Sequence, residues 1–89
     1  MKTSEQLKFN LSNASAQVKV GEIYAHYKHP DQHYRVNNLV IIEATEEVGV
    51  VYKAEYGDRI TFVRPLSSWL DQIDINGQTV PRFGLVDPR

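Results

Sequence analysis

Val50-Val51-Tyr52-Lys53-Ala54-Glu55-Tyr56-Gly57-Asp58-Arg59-Ile60-Thr61-Phe62-Val63-Arg64-Pro65-Leu66-Ser67-Ser68-Trp69-Leu70 is the stretch from which the fold is read. It predicts a strand, a tight turn, a second strand and a one-turn helix. Side chains alternate with period two along a strand, so Tyr52, Ala54 and Tyr56 share one face and Val51, Lys53 and Glu55 the other. Gly57-Asp58 is the expected two-residue turn, because glycine accepts positive φ and Asp hydrogen-bonds its own backbone. Ile60, Phe62 and Arg64 then alternate with Thr61 and Val63. Pro65, which has no N–H for the next ladder bond, ends the strand.

Working outward, Val18 to Ala25 alternates as a strand, with some apolar residues on both faces. Lys28-His29-Pro30-Asp31-Gln32 reads as a turn centred on Pro30-Asp31. Tyr34 to Ile42 forms the next strand, interrupted at Asn37-Asn38, where a bulge or kink is expected. Thr45-Glu46-Glu47 is a polar turn into the central hairpin. Near the C-terminus, Asn76-Gly77 is the favoured type I′ pair, setting Ile75 opposite Gln78 and Ile73 opposite Val80, and Pro81 closes that ladder. Short strands separated by turns every 8–12 residues or so predict a small closed or partly open β-barrel over residues 18–89. In residues 1–17, Thr3 and Gln6 fit a capping box and Leu7 and Leu11 stand at helical spacing. Asn10, Ser12, Asn13 and Ser15 favour local turns instead. The expectation is a frayed short helix or a flexible N-terminal arm.

With 89 residues the chain holds one domain. Ten basic and eleven acidic residues leave a net charge of −1, which argues against a broad nucleic-acid face. The absence of cysteine removes disulfides, thiol catalysis and thiolate metal sites, and suits a reducing cytoplasm. No apolar run reaches the roughly 18–20 residues of a membrane span, and no secretory signal is legible at the N-terminus.

The quoted stretch also resembles a small bacterial family catalogued as domain of unknown function 1653. The resemblance rests on Val50-Val51-Tyr52, Tyr56-Gly57-Asp58 and Val63-Arg64-Pro65-Leu66. It extends to Val20-Gly21-Glu22-Ile23-Tyr24 with His26-Tyr27-Lys28, then Tyr34-Arg35-Val36, and finally Gly77 with Pro81-Arg82-Phe83. It runs over about residues 18–86. It implies a small SH3-like barrel or roll and carries no assigned activity. Where the family tends to show a His-Ser-Glu-Thr run, this chain reads Ile42-Glu43-Ala44-Thr45, a departure that weakens an enzyme reading.

Three groups of residues are candidates for chemistry. His26, His29 and His33 are close in sequence, and imidazoles on neighbouring strands can converge on zinc. No acidic residue completes such a set, so neither a metal nor any other cofactor is expected. Glu55, Asp58 and Arg59 lie at a turn without a nucleophile, a histidine partner or an oxyanion hole beside them, and read as solvated charges. The third group is aromatic and cationic. Tyr27, Tyr34, Tyr52 and Tyr56 are expected to share an outer groove with His26 and Arg82 at its rim. Most rings in so small a chain serve as core, but a buried phenol must still satisfy its hydroxyl, and four of them point to a partly open site. Arg64, on the core-side register, is expected to be half-buried and paired with Glu22, Glu55 or backbone carbonyls, and joins the ligand-binding set if it is free. Trp69 is expected to anchor the core.

These residues favour a non-enzymatic binding module for a peptide or small molecule, either a monomer or a weak homodimer. The alternatives are a small hydrolase-like enzyme, which requires a carboxylate within hydrogen-bond reach of His26, and a single-stranded nucleic-acid-binding domain.

Overall fold

The computed structural model describes residues 1–86, so the domain limit expected at residue 89 lies outside the described residues. The elements are α1 (Ser4–Gln17), β1 (Ile23–His26), β2 (His29–Ile42), β3 (Glu47–Ala54), β4 (Thr61–Pro65), α2 (Leu66–Trp69), β5 (Gln72–Ile75), β6 (Gln78–Pro81) and β7 (Phe83–Leu85). Strands β4-β3-β2-β1-β7, in that order, form an antiparallel sheet, and β5 and β6 pair separately. The fold is thus small and mainly β, with the one-turn helix after the central hairpin. The sheet does not close into a barrel, however, because β4 and β7 share no ladder. Side chains join its two ends instead: Trp69, just after β4, stacks on Phe83 of β7 at 3.8 Å between ring centroids.

The central hairpin forms, but with a longer connection than Gly57-Asp58 alone provides. β3 ends at Ala54, whose N–H donates to the Ile60 carbonyl, and residues 55–60 make the turn. Gly57 and Arg59 both have positive φ, 58° and 54°. The resulting register pairs Tyr52 with Phe62 and Val50 with Arg64. Tyr56 consequently leaves the strand face that it was expected to share with Tyr52.

The other turns divide similarly. Tyr27-Lys28 connects β1 to β2, and His26 pairs with His29. The next rung is Ala25 with His33, so Pro30-Asp31-Gln32 bulges out of the ladder rather than forming the turn. Pro30 has no N–H to give to a rung, which suits it to that bulge. At Asn37 the β2–β3 register shifts as expected, Val36 opposing Tyr52 and Asn38 opposing Val51. The Asn76-Gly77 hairpin has both central residues at positive φ, and Ile75 and Ile73 face Gln78 and Val80 as expected.

Of the two forms expected for the N-terminal segment, residues 4–17 take the helical one, over 14 residues. The Thr3–Gln6 capping box is complete: the Gln6 N–H donates to Thr3 Oγ1 at 3.1 Å, and the Thr3 N–H to Gln6 Oε1 at 2.8 Å. Leu7, Asn10, Leu11, Ala14 and Val18 form a stripe of sheltered positions at helical spacing, with Ala14 and Val18 fully buried. The Lys2 N–H also donates to Glu46 in the β2–β3 turn. Packing on β2 and β3 outweighs the turn preference of the Asn and Ser residues, most of which face solvent. Val18 therefore ends the helix instead of starting a strand, and Gly21, at φ 91°, delays β1 until Ile23.

The core comprises Val18, Tyr24, Val36, Val50, Tyr52, Trp69 and Phe83. Tyr24 satisfies its hydroxyl by accepting the Lys19 N–H at 2.9 Å. Among the described residues, no helix is long and apolar enough to cross a membrane.

Candidate functional site

Antiparallel partners place their side chains on the same face of a sheet. The rungs Tyr52–Phe62, Val50–Arg64, Tyr34–Ala54 and His26–Phe83 therefore aim Phe62, Arg64, Tyr52, Tyr34, His26 and Phe83 to one side. Together with His29 they line a depression of about 290 Å³ to which all five strands of the main sheet contribute. A somewhat larger hollow of about 350 Å³ between α1 and α2 is lined by Asn10, Asn13, Ala14, Gln17 and Leu70 among others, and gathers no comparable aromatic or cationic set.

The rings in the depression support one another edge to face. Tyr34 lies 5.5 Å from Tyr52 and 6.0 Å from Phe83, and Tyr52 lies 5.5 Å from Phe83. These are favourable aromatic geometries that hold the rings without sealing the surface. Tyr52 and Phe83 are buried, Tyr34 is half-buried, and Phe62 at the lip is 42% exposed.

Arg64 is half-buried, as its register implies, but among the described residues it is not paired with a carboxylate. Its Nη1 donates to Ser68 Oγ at 2.9 Å and its Nε to the Tyr52 hydroxyl at 3.4 Å. The guanidinium carbon lies 5.3 Å from the centre of the Phe83 ring, a cation–π contact. Glu55 pairs instead with Arg35, at 3.6 Å. Ser68, which no motif marked, is the main partner because α2 turns it back toward β4.

His26 stacks on Tyr27 at 4.8 Å and meets the edge of Phe83 at 5.1 Å. Its Nδ1 accepts the Lys28 N–H at 3.2 Å, which leaves Nε2 to carry the proton of the neutral ring. Burial first, then the nearby Arg64 and Arg82 guanidiniums, Lys28 and His29, hold its pKa below the ordinary histidine value. No carboxylate hydrogen-bonds to His26 among the described residues, so the pair required by the hydrolase-like reading is missing there. Nor, among the described residues, are three or more His, Asp or Glu grouped to hold a metal ion.

Tyr34 and Tyr56 meet through their hydroxyls at 2.7 Å, and Tyr56 remains 37% exposed. Burial, and next that hydrogen bond, push the Tyr34 phenol up to about 12. Of the residues singled out in the sequence, His26, Tyr34, Tyr52 and Arg64 thus come together in the depression. Tyr27 backs His26, and Tyr56 reaches the cluster only through Tyr34. Arg82 lies nearby without lining it: its Nε donates to the Ser68 carbonyl at 3.0 Å, and its Nη2 meets Asp71 at 3.3 Å. His29, Phe62 and Phe83 complete the lining. Alternation along β4 placed Phe62 on the face of Arg64, but the β1–β7 rung that delivers Phe83 has no local signal.

The model of the family described as "Protein of unknown function (DUF1653)" matches residues 22–85. This chain belongs to the DUF1653 family. The match spans β1 to β7 and all the residues of the depression, while α1 precedes it. A crystal structure of a DUF1653 protein from Bordetella bronchiseptica is similar, with 32% sequence identity and a TM-score of 0.63. That similarity covers 82% of this chain and 97% of the other. None of the curated proteins matches this DUF1653 chain.

Proposed function

We propose that this DUF1653 chain is a non-enzymatic cytoplasmic binding module that takes a peptide or small ligand on its aromatic and arginine face. The observation that carries this reading is the convergence of Tyr34, Tyr52, Phe62 and Phe83 around Arg64 and His26 in one open depression. Ligand sites commonly combine apolar walls with a few polar groups that fix orientation. Here the walls are rings, and the polar groups are a guanidinium, two imidazoles and two phenols. The net charge of −1 favours a peptide or small molecule over nucleic acid, whose phosphates call for several Lys or Arg.

The test is an amide chemical-shift titration of the full chain against peptide pools, a small-molecule set and short single-stranded oligonucleotides. Saturable shifts at residues 26–34, 52 and 62–64 with peptides or small molecules support the reading. Shifts only with oligonucleotides, or none at these residues, overturn it.

A further inference from the structure

We propose that the ligand received by this depression is a small planar carboxylate, its carboxylate held by Arg64 and its flat body packed among Tyr34, Tyr52 and Phe83. This rests on the binding-module reading and names the class of ligand for it.

Charge is the first ground. Among the described residues the ion pairs are Arg35–Glu55 and Arg82–Asp71, so those two guanidiniums have their counter-charges and Arg64 has none. The hydroxyls of Ser68 and Tyr52 are neutral acceptors; they hold Arg64 in place without cancelling its charge. A half-buried cation gains from an anion brought alongside it. Among the described residues, no Asp or Glu lines the depression to compete for that role.

The available donors are the second ground. Nη1 and Nε of Arg64 are engaged, whereas Nη2 makes no hydrogen bond with the described residues. His26 has Nδ1 occupied by the Lys28 amide, which leaves the Nε2 proton to be given. One guanidinium supported by a neutral imidazole suits a monoanion. A phosphate dianion draws on more cations or on the N-terminus of a substantial helix, and α2, which follows Arg64, is only four residues long.

Shape is the third ground. Phe83 lies beneath the guanidinium, and Tyr34 and Tyr52 present their rings nearly perpendicular to one another at 80°. A flat molecule entering here meets ring faces and edges, the contacts aromatic groups prefer. The volume, about 290 Å³, lies just below the roughly 300–1,000 Å³ that ligand sites span. That favours a single-ring acid over an extended chain.

The deciding experiment titrates the isotope-labelled full chain with benzoate and, separately, with benzamide, which has the same shape without the charge. Benzoate is expected to shift the amides of Tyr34, Tyr52, Arg64 and Phe83 saturably, with benzamide weaker by about tenfold or more, as loss of a charge-assisted fork implies. Arg64→Met is expected to abolish that preference; if the variant does not fold, the benzoate–benzamide comparison on the wild-type chain decides alone. Equal binding of the two probes overturns the carboxylate assignment and leaves the binding-module reading intact. So does binding of peptides at these residues where benzoate has no effect, or displacement of benzoate by equimolar inorganic phosphate. Failure of every probe and every peptide at these residues overturns both.

Discussion

The indole of Trp69 lies flat against the phenyl ring of Phe83, their centroids 3.8 Å apart and their planes 3° from parallel. Trp69 follows β4 and Phe83 belongs to β7, the two edges of the main sheet, so this stack joins ends that no backbone ladder joins. Tyr24 and Tyr52 abut the same indole edge to face at 5.3 Å and 5.0 Å.

Trp69→Ala should therefore be severe. The side chain is 2% exposed, and truncating such a ring typically costs about 3–5 kcal/mol, a large share of the 5–15 kcal/mol or so that holds a domain folded. Urea unfolding followed by circular dichroism checks this. Native tryptophan emission should be blue-shifted, and a red-shifted maximum would contradict the burial of the indole.

Arg64→Ala should destabilise by less, about 1–2 kcal/mol, since it removes two hydrogen bonds to neutral hydroxyls and a cation–π contact but, among the described residues, leaves no carboxylate unpaired. Ser68→Ala should reproduce part of that loss. A melting temperature equal to wild type in both variants would mean that the Arg64–Ser68 bond contributes nothing.

Tyr34 gives a pH dependence in the alkaline range. Its phenol is raised from 10 to about 12, so the folded state holds this proton more tightly than the unfolded chain does. The associated stability is complete below about pH 10 and declines as pH rises through 12. Absorbance titration at the phenolate band should show a late-ionising component that is absent in Tyr34→Phe. A normal midpoint for all the tyrosines would overturn the burial and hydrogen bond assigned to it.

His26 acts in the opposite direction. Because its folded pKa lies below 6.5, the folded state releases this proton more readily. Its contribution is present above about pH 6.5 and fades as pH falls through the folded value. By NMR, His26 should titrate below 6.5, and Arg64→Met should move it back toward the ordinary value by removing one of the nearby charges. A His26 midpoint at or above 6.5 would refute this.

Thr3→Ala should fray α1. Loss of an N-cap hydroxyl costs on the order of 1 kcal/mol, and here it also ends the reciprocal Gln6 contact. Amide exchange at Gln6 and Leu7 should accelerate, while exchange in β3 should stay slow. Unchanged protection at both residues would show that packing alone holds the first turn.

What the sequence determined by itself was local. The hairpin turn at Asn76-Gly77, the break at Asn37, the stop at Pro65 and the Thr3–Gln6 cap each follow from the backbone conformation or hydrogen bond that a few adjacent residues prefer. Alternation likewise put Phe62 and Arg64 on one face, and the isolated large indole marked Trp69 as core. Tertiary structure decided what depends on distant partners. Residues 4–17 became a full helix because Ala14 and Val18 found the sheet, a contact that local propensities cannot register. The turns moved to Tyr27-Lys28 and residues 55–60 because the rungs of a sheet must agree across every strand at once. The depression was hardest to read, since Arg64, His26 and Phe83 are brought together only when β7 pairs with β1 and α2 folds back over β4. Counter-charges followed the same rule: Glu55 went to Arg35 and Asp71 to Arg82, and Arg64 was left facing the hollow by geometry rather than by sequence.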